Sequence, residues 1–380
     1  MTTSLASVPA KPHTSASTRR WFPHLDGYQC ILLAAMALYV IAFARLAFDI
    51  HAGMRTHKAD LGQIDQAIWN SSQGRFLQQT DGGGISTRMT DHVEPILALI
   101  SPVYWVWNDV RAILLLQVVF VAVGAWLLYQ LALHRLDQIL LPNERMLIWK
   151  WEPLRQMTRP LALALASAYL LAPQLLSAVG TELHAVPLSV PLILWALWAA
   201  ERVRWVPFAI AVVLVALVKE EMALVAFMLG LWGVWRGWRL SKEEGAPANA
   251  RAGMLWGSAL AIFSLVWFVI ATFVIVPHFA GPFYGAEQST YFARYGALGD
   301  SPLDIAKSFV TQPGVVWQIA TEPARLVYLW RLLAIFGLLA LLAPEVLLLS
   351  LPVLLANLLS AYPAQYYGEF HYTAPVVAFY

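Results

Sequence analysis

Residues 28–48 read YQCILLAAMALYVIAFARLAF, a long apolar run in which Arg45 is the charged side chain. A helix needs roughly 20 apolar residues to cross the hydrocarbon of a bilayer. The run therefore predicts a membrane-spanning helix. It follows residues 1–27, which are polar and carry three Lys and Arg residues, at positions 11, 19 and 20. This pattern predicts a disordered cytoplasmic tail, because lysine and arginine are enriched on the cytoplasmic flank of a span.

Further apolar runs follow along the chain, several of them short. The candidate spans after the first cover residues 111–133, 160–179, 185–200, 206–218, 222–235, 252–277, 326–343 and 346–359. Together they predict an all-α integral membrane protein, with residues 28–380 forming one polytopic helical bundle of about nine or ten spans. The last apolar stretch, 372–380, is too short to cross, so the chain either stops inside a helix or ends in a segment at the surface.

The overall composition agrees with a membrane location. The chain has 380 residues, of which 59% are hydrophobic and 13% charged, and its mean hydropathy is +0.60. Soluble domains average roughly 45–50% apolar and about 25% charged residues. A net charge of +2 leaves no basic surface for nucleic acid, so nucleic-acid partners are excluded. The single cysteine, Cys30, excludes an internal disulfide and a thiolate zinc cluster.

The orientation of the chain depends on residues 95–107, an apolar segment that is short and contains Pro102. If this segment lies along the outer face, the predicted inner segments hold 14 lysines and arginines and the outer ones 7. If it crosses, the numbers are 6 inside and 15 outside. The positive-inside rule favours the first arrangement. We therefore expect a cytoplasmic amino terminus and an interfacial helix at 95–107 on the outer face.

In this orientation the unusual polar residues fall on the outer side of the membrane, although their positions were not used in the charge count. They come from loops that are distant in sequence but lie on the same side of the membrane. We therefore expect them to form a common polar surface. The candidate site residues are Asp60, Asp65, His92, Glu182, His184, Lys219, Glu220 and His371.

Each of these residues also has a purely structural interpretation. Asp60 is suited to capping the amphipathic stretch that follows it, because aspartate accepts backbone N–H bonds at a helix start. Glu182 and His184 have the alternative of being two solvated turn residues. His92 and His371 are as compatible with interface histidines that have ordinary partners as with ligands or bases.

Lys219 is harder to explain structurally. The run before it, 206–218, gives roughly 20 Å of helix, which is well short of the roughly 30 Å hydrocarbon. Lys219 is therefore expected below the outer interface, where a charge is costly unless it is paired or faces a wet cavity. The structural alternative is a buried ion pair with Glu220 or Glu221 that only fixes packing.

The order of these features resembles the GT-C superfamily of integral-membrane glycosyltransferases. Within it the chain is most similar, over about residues 28–380, to a bacterial polytopic family defined as domain of unknown function 2079. The residues that carry the resemblance are DLGQIDQAIW at 60–69, GR at 74–75, HVEP at 92–95, ELH at 182–184, VKEE at 218–221, APE at 343–345 and NLLS at 357–360.

The resemblance implies a GT-C-like bundle and assigns roles to three residues. In similar members an acid just after the first span is the catalytic base or essential carboxylate, and Asp60 stands there. Glu182 matches an acid in the outer loop after the third span. Lys219 matches a lysine between two short spans, and a cation there suits a donor phosphate. Asp60 is followed by Leu61 where many relatives have a second acid, so arguments for a divalent metal transfer poorly.

The function implied by the resemblance is transfer of a sugar from a polyprenyl-phosphate donor to an acceptor at the extracytoplasmic face of a bacterial inner membrane. Asp65 would tune Asp60 or help hold a divalent ion. The residues expected to bind substrate are His92, His184, Glu220 and His371. The alternative is a transporter or lipid-handling protein, because charges at broken helices also mark transport sites. A transporter should place its charges near the midplane and show an internal repeat, and the two halves show no convincing self-similarity.

Overall fold

The computed structural model describes residues 25–81, 84–140, 156–243, 245, 247–284, 290–368 and 370–380. Most of these residues are helical, and the sheet within these ranges is one short two-stranded hairpin. The predicted tail, residues 1–27, lies outside the described residues except for 25–27. The described chain enters its first helix through Asp26, whose side chain accepts a hydrogen bond from the backbone N–H of Gln29.

The α-helices follow one another with short connections. In the first half they are α1 (Gly27–Ala52), α2 (Gln63–Ser72), α3 (Ile96–Ile100), α4 (Val103–Val106), α5 (Val110–Leu140), α6 (Thr158–Leu170) and α7 (Pro173–Val179). In the second half they are α8 (Ser189–Glu201), α9 (Trp205–Ala216), α10 (Met222–Leu240), α11 (Ala252–Ile270), α12 (Val276–Tyr284), α13 (Pro302–Thr311), α14 (Pro313–Ala320), α15 (Pro323–Ala334), α16 (Pro344–Leu347), α17 (Leu351–Leu359) and α18 (Ala364–Tyr367).

Shorter elements join these helices. Turns of π-helix span Lys58–Gly62 and Ala271–Ile275, and 3-10 turns span Arg88–Thr90, Val186–Leu188, Thr290–Tyr295, Leu339–Leu342, Leu348–Ser350 and His371–Phe379. The hairpin consists of β1 (Gln78–Asp81) and β2 (Gly84–Thr87), which pair antiparallel with Gln78 opposite Thr87.

Three helices in the described part of the chain are long and apolar enough to cross a membrane: Gly27–Ala52, Val110–Ile139 and Ala252–Pro282. The pair α6 and α7 adds a fourth candidate if it counts as one span bent by 46°. These helices support the predicted all-α membrane class. They do not confirm the predicted count of nine or ten spans, because the other apolar helices are shorter.

Backbone breaks explain why several predicted spans are not continuous helices. The run 160–179 is interrupted at Pro173, because proline lacks an N–H and disfavours helical geometry in the residue before it. The run 326–343 is interrupted near Leu338, whose φ of 66° lies in the left-handed region. The run 346–359 is divided between α16 and α17.

Two other predicted segments have clear structures. The segment 95–107 forms the short helices α3 and α4, and both pack against α2. A hydrogen bond from Trp105 Nε1 to the carbonyl of Ser72, at 2.9 Å, links α4 to α2. The final stretch, 372–380, falls within a buried 3-10 segment that packs against α7, α8 and α17. It therefore lies inside the bundle and not at its surface.

The core is organised around α5, which packs against α1, α6 and α8. The hydroxyl of Tyr169, on α6, is fully buried and donates to the carbonyl of Val121 on α5 at 2.8 Å. A second close pair consists of α10 and α11. At Gly230 their backbones approach so closely that an added Cβ would lie 2.6 Å from the backbone nitrogen of Ala261.

This close approach gives a stability prediction. We expect Gly230→Ala to destabilise the folded protein by about 1–3 kcal/mol, because α10 and α11 must separate to admit the methyl group. Thermal unfolding in detergent measures the effect. The matched control is Gly314→Ala, where an added Cβ meets no atom within 4 Å. Equal melting temperatures for the two variants would contradict the tight packing of this helix pair.

Candidate polar site between the loops

Two polar cavities of about 570 and 500 Å³ lie side by side where several interhelical loops meet. Both contain residues of the loop after α1, the loop after α7 and the carboxyl-terminal segment. The side chains that line both cavities are Asp60, His184, Tyr362, His371 and Tyr372. These residues form the partition between the first cavity, which extends toward Lys219, and the second, which extends toward Glu182.

Asp60 lies in the π-helical turn Lys58–Gly62 that follows α1, and its side chain is 49% exposed. Its Oδ1 is 3.8 Å from Nε2 of His184. The His184 imidazole lowers the pKa of the Asp60 carboxyl, and Arg88 and His57 add to this effect against the opposing effect of burial. Asp60 therefore presents an ionised carboxylate to both cavities at neutral pH.

Glu182 holds the loop that carries Asp60. Its carboxylate is buried and accepts hydrogen bonds from the backbone N–H of His57 at 2.9 Å and of Leu61 at 3.4 Å. Its other oxygen lies 2.7 Å from Nδ1 of His57, which donates to it. Glu182 thus connects the loop after α7 to both sides of Asp60.

Three residues of this region have the donor set of a metal site. One ligand atom from each of His57, Asp60 and Glu182 lies within 4.8 Å of the others. One imidazole nitrogen with two carboxylate oxygens suits a divalent transition metal. This set needs no second acid beside Asp60, because His57 supplies the third ligand. The departure at Leu61 noted in the sequence therefore does not exclude a metal.

Gln117 holds the loop after α7 in place from inside the helical bundle. This α5 residue is buried, and its Nε2 donates to the carbonyls of Ala178 and Glu182, both at 3.2 Å. Its Oε1 accepts from the backbone N–H of His184 at 2.9 Å. One amide inside the bundle therefore fixes the backbone of both candidate residues.

His184 and His371 form a stacked pair with ring centroids 3.7 Å apart. His371 is buried, and no described residue forms a hydrogen bond with its Nδ1. Burial lowers the pKa of His371 well below its usual value, and the charges of His184 and Lys219 lower it further. His371 is therefore a neutral imidazole in the lining that the two cavities share.

Lys219 lies in the loop between α9 and α10 and is 5% exposed. Its Nζ is 3.4 Å from the carboxylate of Glu221. Burial opposes its charge, but the carboxylates of Glu221, Glu220 and Glu94 outweigh burial and raise the pKa of Lys219. The ion pair considered from the sequence is thus present, and the same ammonium lines the first cavity.

His92 and Glu220 face each other beside Lys219. His92 Nδ1 is 2.9 Å from one oxygen of Glu220, and the other oxygen accepts from the backbone N–H of Val93 at 2.9 Å. Burial lowers the pKa of His92 well below its usual value and raises the pKa of Glu220. The pair joins two loops, and burial disfavours a charge on both members.

Two arginines complete the first cavity. Arg88 donates to Glu94 at 2.8 Å and to the side-chain oxygen of Gln63 at 3.2 Å, so that a buried ion pair braces one wall. The guanidinium carbon of Arg294 lies 4.6 Å from the ring centroid of Tyr362. Cation–π contact of this kind holds an arginine over an aromatic face.

An apolar groove of about 340 Å³ adjoins the first cavity. Both are lined by His92, Lys219 and Arg294. Away from this polar end the groove is lined mostly by apolar side chains of α10, α11, α13 and α17: Leu224, Phe268, Ile305, Ala306, Phe309, Leu355, Ala356 and Leu359. Glu220 lines this groove and neither polar cavity.

Asp65 lies apart from the other candidates. Its carboxylate accepts a hydrogen bond from Tyr104 and lines neither polar cavity. Burial raises its pKa, against the effect of that hydrogen bond. Asp65 is also absent from the described residues that could share a metal with Asp60. The other predicted residues line the two cavities or the adjoining groove.

Sequence reasoning missed His57, Arg88, Gln117 and Arg294 as members of the site. Two of them carried a usable signal. His57 precedes Asp60 by three residues in the same loop, and Gln117 is one of two glutamines in a mostly apolar span. The arginines carried none, because only the fold brings residues 88 and 294 to one cavity.

A family model described as "Predicted membrane protein (DUF2079)" matches residues 51–380. No match was found among curated proteins or among solved structures.

The contact between His57 and Glu182 predicts a pH dependence of stability. Hydrogen bonding and charge from Glu182 raise the pKa of His57 above its usual value of 6.5. A raised pKa in the folded state means that the stabilisation is complete below about pH 6.5 and is lost as the pH rises through the raised value. We expect His57→Gln to lower the melting temperature more at pH 6 than at pH 9.

Thermal unfolding of both proteins across this range tests the expectation. In a Glu182→Gln background, the pH-dependent part of the His57→Gln effect should disappear. A His57→Gln effect that stays constant or grows toward pH 9 would contradict the proposed pair.

Proposed function

The chain belongs to this family of predicted membrane proteins, and on that premise we propose that it is a membrane glycosyltransferase. In this proposal it is a GT-C-like bundle of about nine or ten spans that moves a sugar from a polyprenyl-phosphate donor to an acceptor. Its partners are that lipid donor and membrane lipids, and nucleic acid is not among them.

The observation that carries the proposal is the junction between the polar cavity and the apolar groove. A polyprenyl-phosphate sugar has an isoprenoid tail, a phosphate and a polar sugar in that order. The structure has an apolar groove, then the cations Lys219 and Arg294, then a cavity containing Asp60. The order of chemistry along the site matches the order along such a donor.

Lys219 and Arg294 are proposed to bind the donor phosphate. When the bond between the sugar C1 and the phosphate oxygen breaks, its electron pair stays on that oxygen, and negative charge builds up there. Cations that are already in place stabilise this charge without having to reorganise. The raised pKa of Lys219 keeps its ammonium protonated through this step.

Asp60 is proposed as the general base. As the acceptor oxygen bonds to the sugar C1, its hydroxyl proton passes to the Asp60 carboxylate. The lowered pKa of Asp60 keeps it ionised before the reaction. An attack from the side opposite the leaving phosphate inverts the anomeric centre, as the resemblance to GT-C enzymes implies.

The second polar cavity is proposed to admit the acceptor, because it reaches Asp60 from the side away from Lys219. His184 and His371 line both cavities and offer ring nitrogens as hydrogen-bonding groups to sugar or acceptor hydroxyls. A divalent ion on His57, Asp60 and Glu182 would supply Lewis-acid assistance there. With such an ion bound, Asp60 would be one of its ligands. The effect of the metal on transfer is therefore measured in assays that contain the acceptor.

We also propose the orientation predicted from lysine and arginine counts. In it the amino terminus is cytoplasmic, and the cavities face outward from a bacterial inner membrane. The polar cluster lies in loops at helix ends. A transporter would concentrate such charges at the centre of its spans, so this placement favours the enzyme over the transporter or lipid-handling alternative.

Asp60→Asn tests the base. We expect transfer to fall by at least about 100-fold, because the amide cannot take the acceptor proton. Purified protein in vesicles is supplied with radiolabelled sugars on undecaprenyl phosphate, one donor at a time, and with a membrane extract as the acceptor source. The matched control is Asp49→Asn, an exposed acid at the end of α1. Full activity of Asp60→Asn would refute the assignment, and a wild type inactive with every donor would favour the transporter.

Lys219→Met tests the phosphate contact. We expect the Kd for undecaprenyl phosphate to rise by about tenfold or more, because a charge-assisted hydrogen bond is lost. Lys219→Arg should retain most of the affinity, which separates loss of charge from misfolding. Lys307→Met, at an exposed lysine of α13, is the matched control. Unchanged affinity in Lys219→Met would remove this residue from the donor site.

A further inference from the structure

A separate cavity of about 690 Å³ lies away from the candidate site, between α6, α7, α15 and α18. It is built around the break between α6 and α7, where the bundle leaves a space beside the bent pair. Trp330 and Leu171, which line it, are 62% and 70% exposed. These exposed apolar side chains suit contact with lipid acyl chains at the mouth of the cavity.

Two polar side chains line this cavity without complete bonding. Gln174 is 5% exposed, and its Oε1 has no hydrogen-bond partner in the part of the chain that the structure describes. Such a buried acceptor costs free energy unless something donates to it. Among the described residues, Arg331 has one hydrogen-bond acceptor, the carbonyl of Tyr367 at 3.4 Å. A guanidinium has five N–H donors and can bind further acceptors.

The charge and shape of the cavity define what it can bind. Arg331 is the charged side chain among the described residues that line it. Trp330, Tyr328 and Tyr367 line the same cavity as the arginine. Aromatic residues of this kind gather at the level of lipid headgroups. The remaining wall is apolar and suits acyl chains.

We propose that this cavity binds an anionic glycerophospholipid with a hydroxyl-bearing headgroup, of the phosphatidylglycerol type. Its phosphate binds Arg331, a headgroup hydroxyl donates to Oε1 of Gln174, and its acyl chains follow Leu171 and Ile335. The net charge of the lipid balances that of the arginine. A zwitterionic lipid brings a second cation toward Arg331 and is therefore a poorer ligand.

The test measures lipid binding and not sugar transfer, so it is independent of the proposed function. The full chain in detergent is titrated with phosphatidylglycerol and, separately, with phosphatidylcholine and phosphatidylethanolamine of the same acyl chains, and bound lipid is counted by native mass spectrometry. We expect phosphatidylglycerol to bind at least about tenfold tighter than either zwitterionic lipid.

Two variants and one matched control define the site. Arg331→Gln should weaken phosphatidylglycerol binding by about tenfold or more. Gln174→Met, which keeps the shape but removes the acceptor, should weaken it by about two- to tenfold. Arg45→Gln, at an exposed arginine of α1 outside the cavity, should change nothing. Equal affinity for the three lipids, or equal losses in Arg331→Gln and Arg45→Gln, would overturn the proposal.

Discussion

The structure of the polar site depends on one buried carboxylate. Glu182 accepts hydrogen bonds from the loop after α1 and sits on a backbone that Gln117 holds from inside the bundle. Because a buried carboxylate is costly unless its hydrogen bonds are satisfied, Glu182 couples the positions of the two loops. Asp60 and His184 owe their proximity to this arrangement, since neither makes a strong direct contact with the other.

The second organising feature is the alternation of charged and neutral groups. Lys219 is charged and buried beside Glu221, whereas His92 and His371 are kept neutral by burial and by the lysine itself. Neighbouring cations with no neutral groups between them would repel one another in a region of low dielectric constant. Lys219 and Arg294 line both the groove and the first cavity, whereas Asp60 lines the two polar cavities and not the groove.

The sequence predicted the membrane class and the family, and it predicted which loops carry the polar residues. It could not predict helix continuity, because the break near Leu338 arises from backbone conformation and not from composition. It also missed the hairpin of β1 and β2, whose sequence is neither alternating nor apolar. At the site, Asp65 looked equivalent to Asp60 by residue type. The structure separates them, because Tyr104 from the α3–α4 segment binds Asp65, and that contact spans 39 residues.

The close backbone approach of α10 and α11 has a mechanical consequence for the groove beside Lys219. Leu224 of α10 and Phe268 of α11 form one wall, and glycine contacts leave these two helices little room to shift. The facing wall is built from α13 and α17, and Ser308 is the one buried residue of α13. We therefore expect the groove to widen on one side only, because the wall formed by α10 and α11 is fixed and α13 in the facing wall can move. A bulky amphiphile would enter by displacing α13.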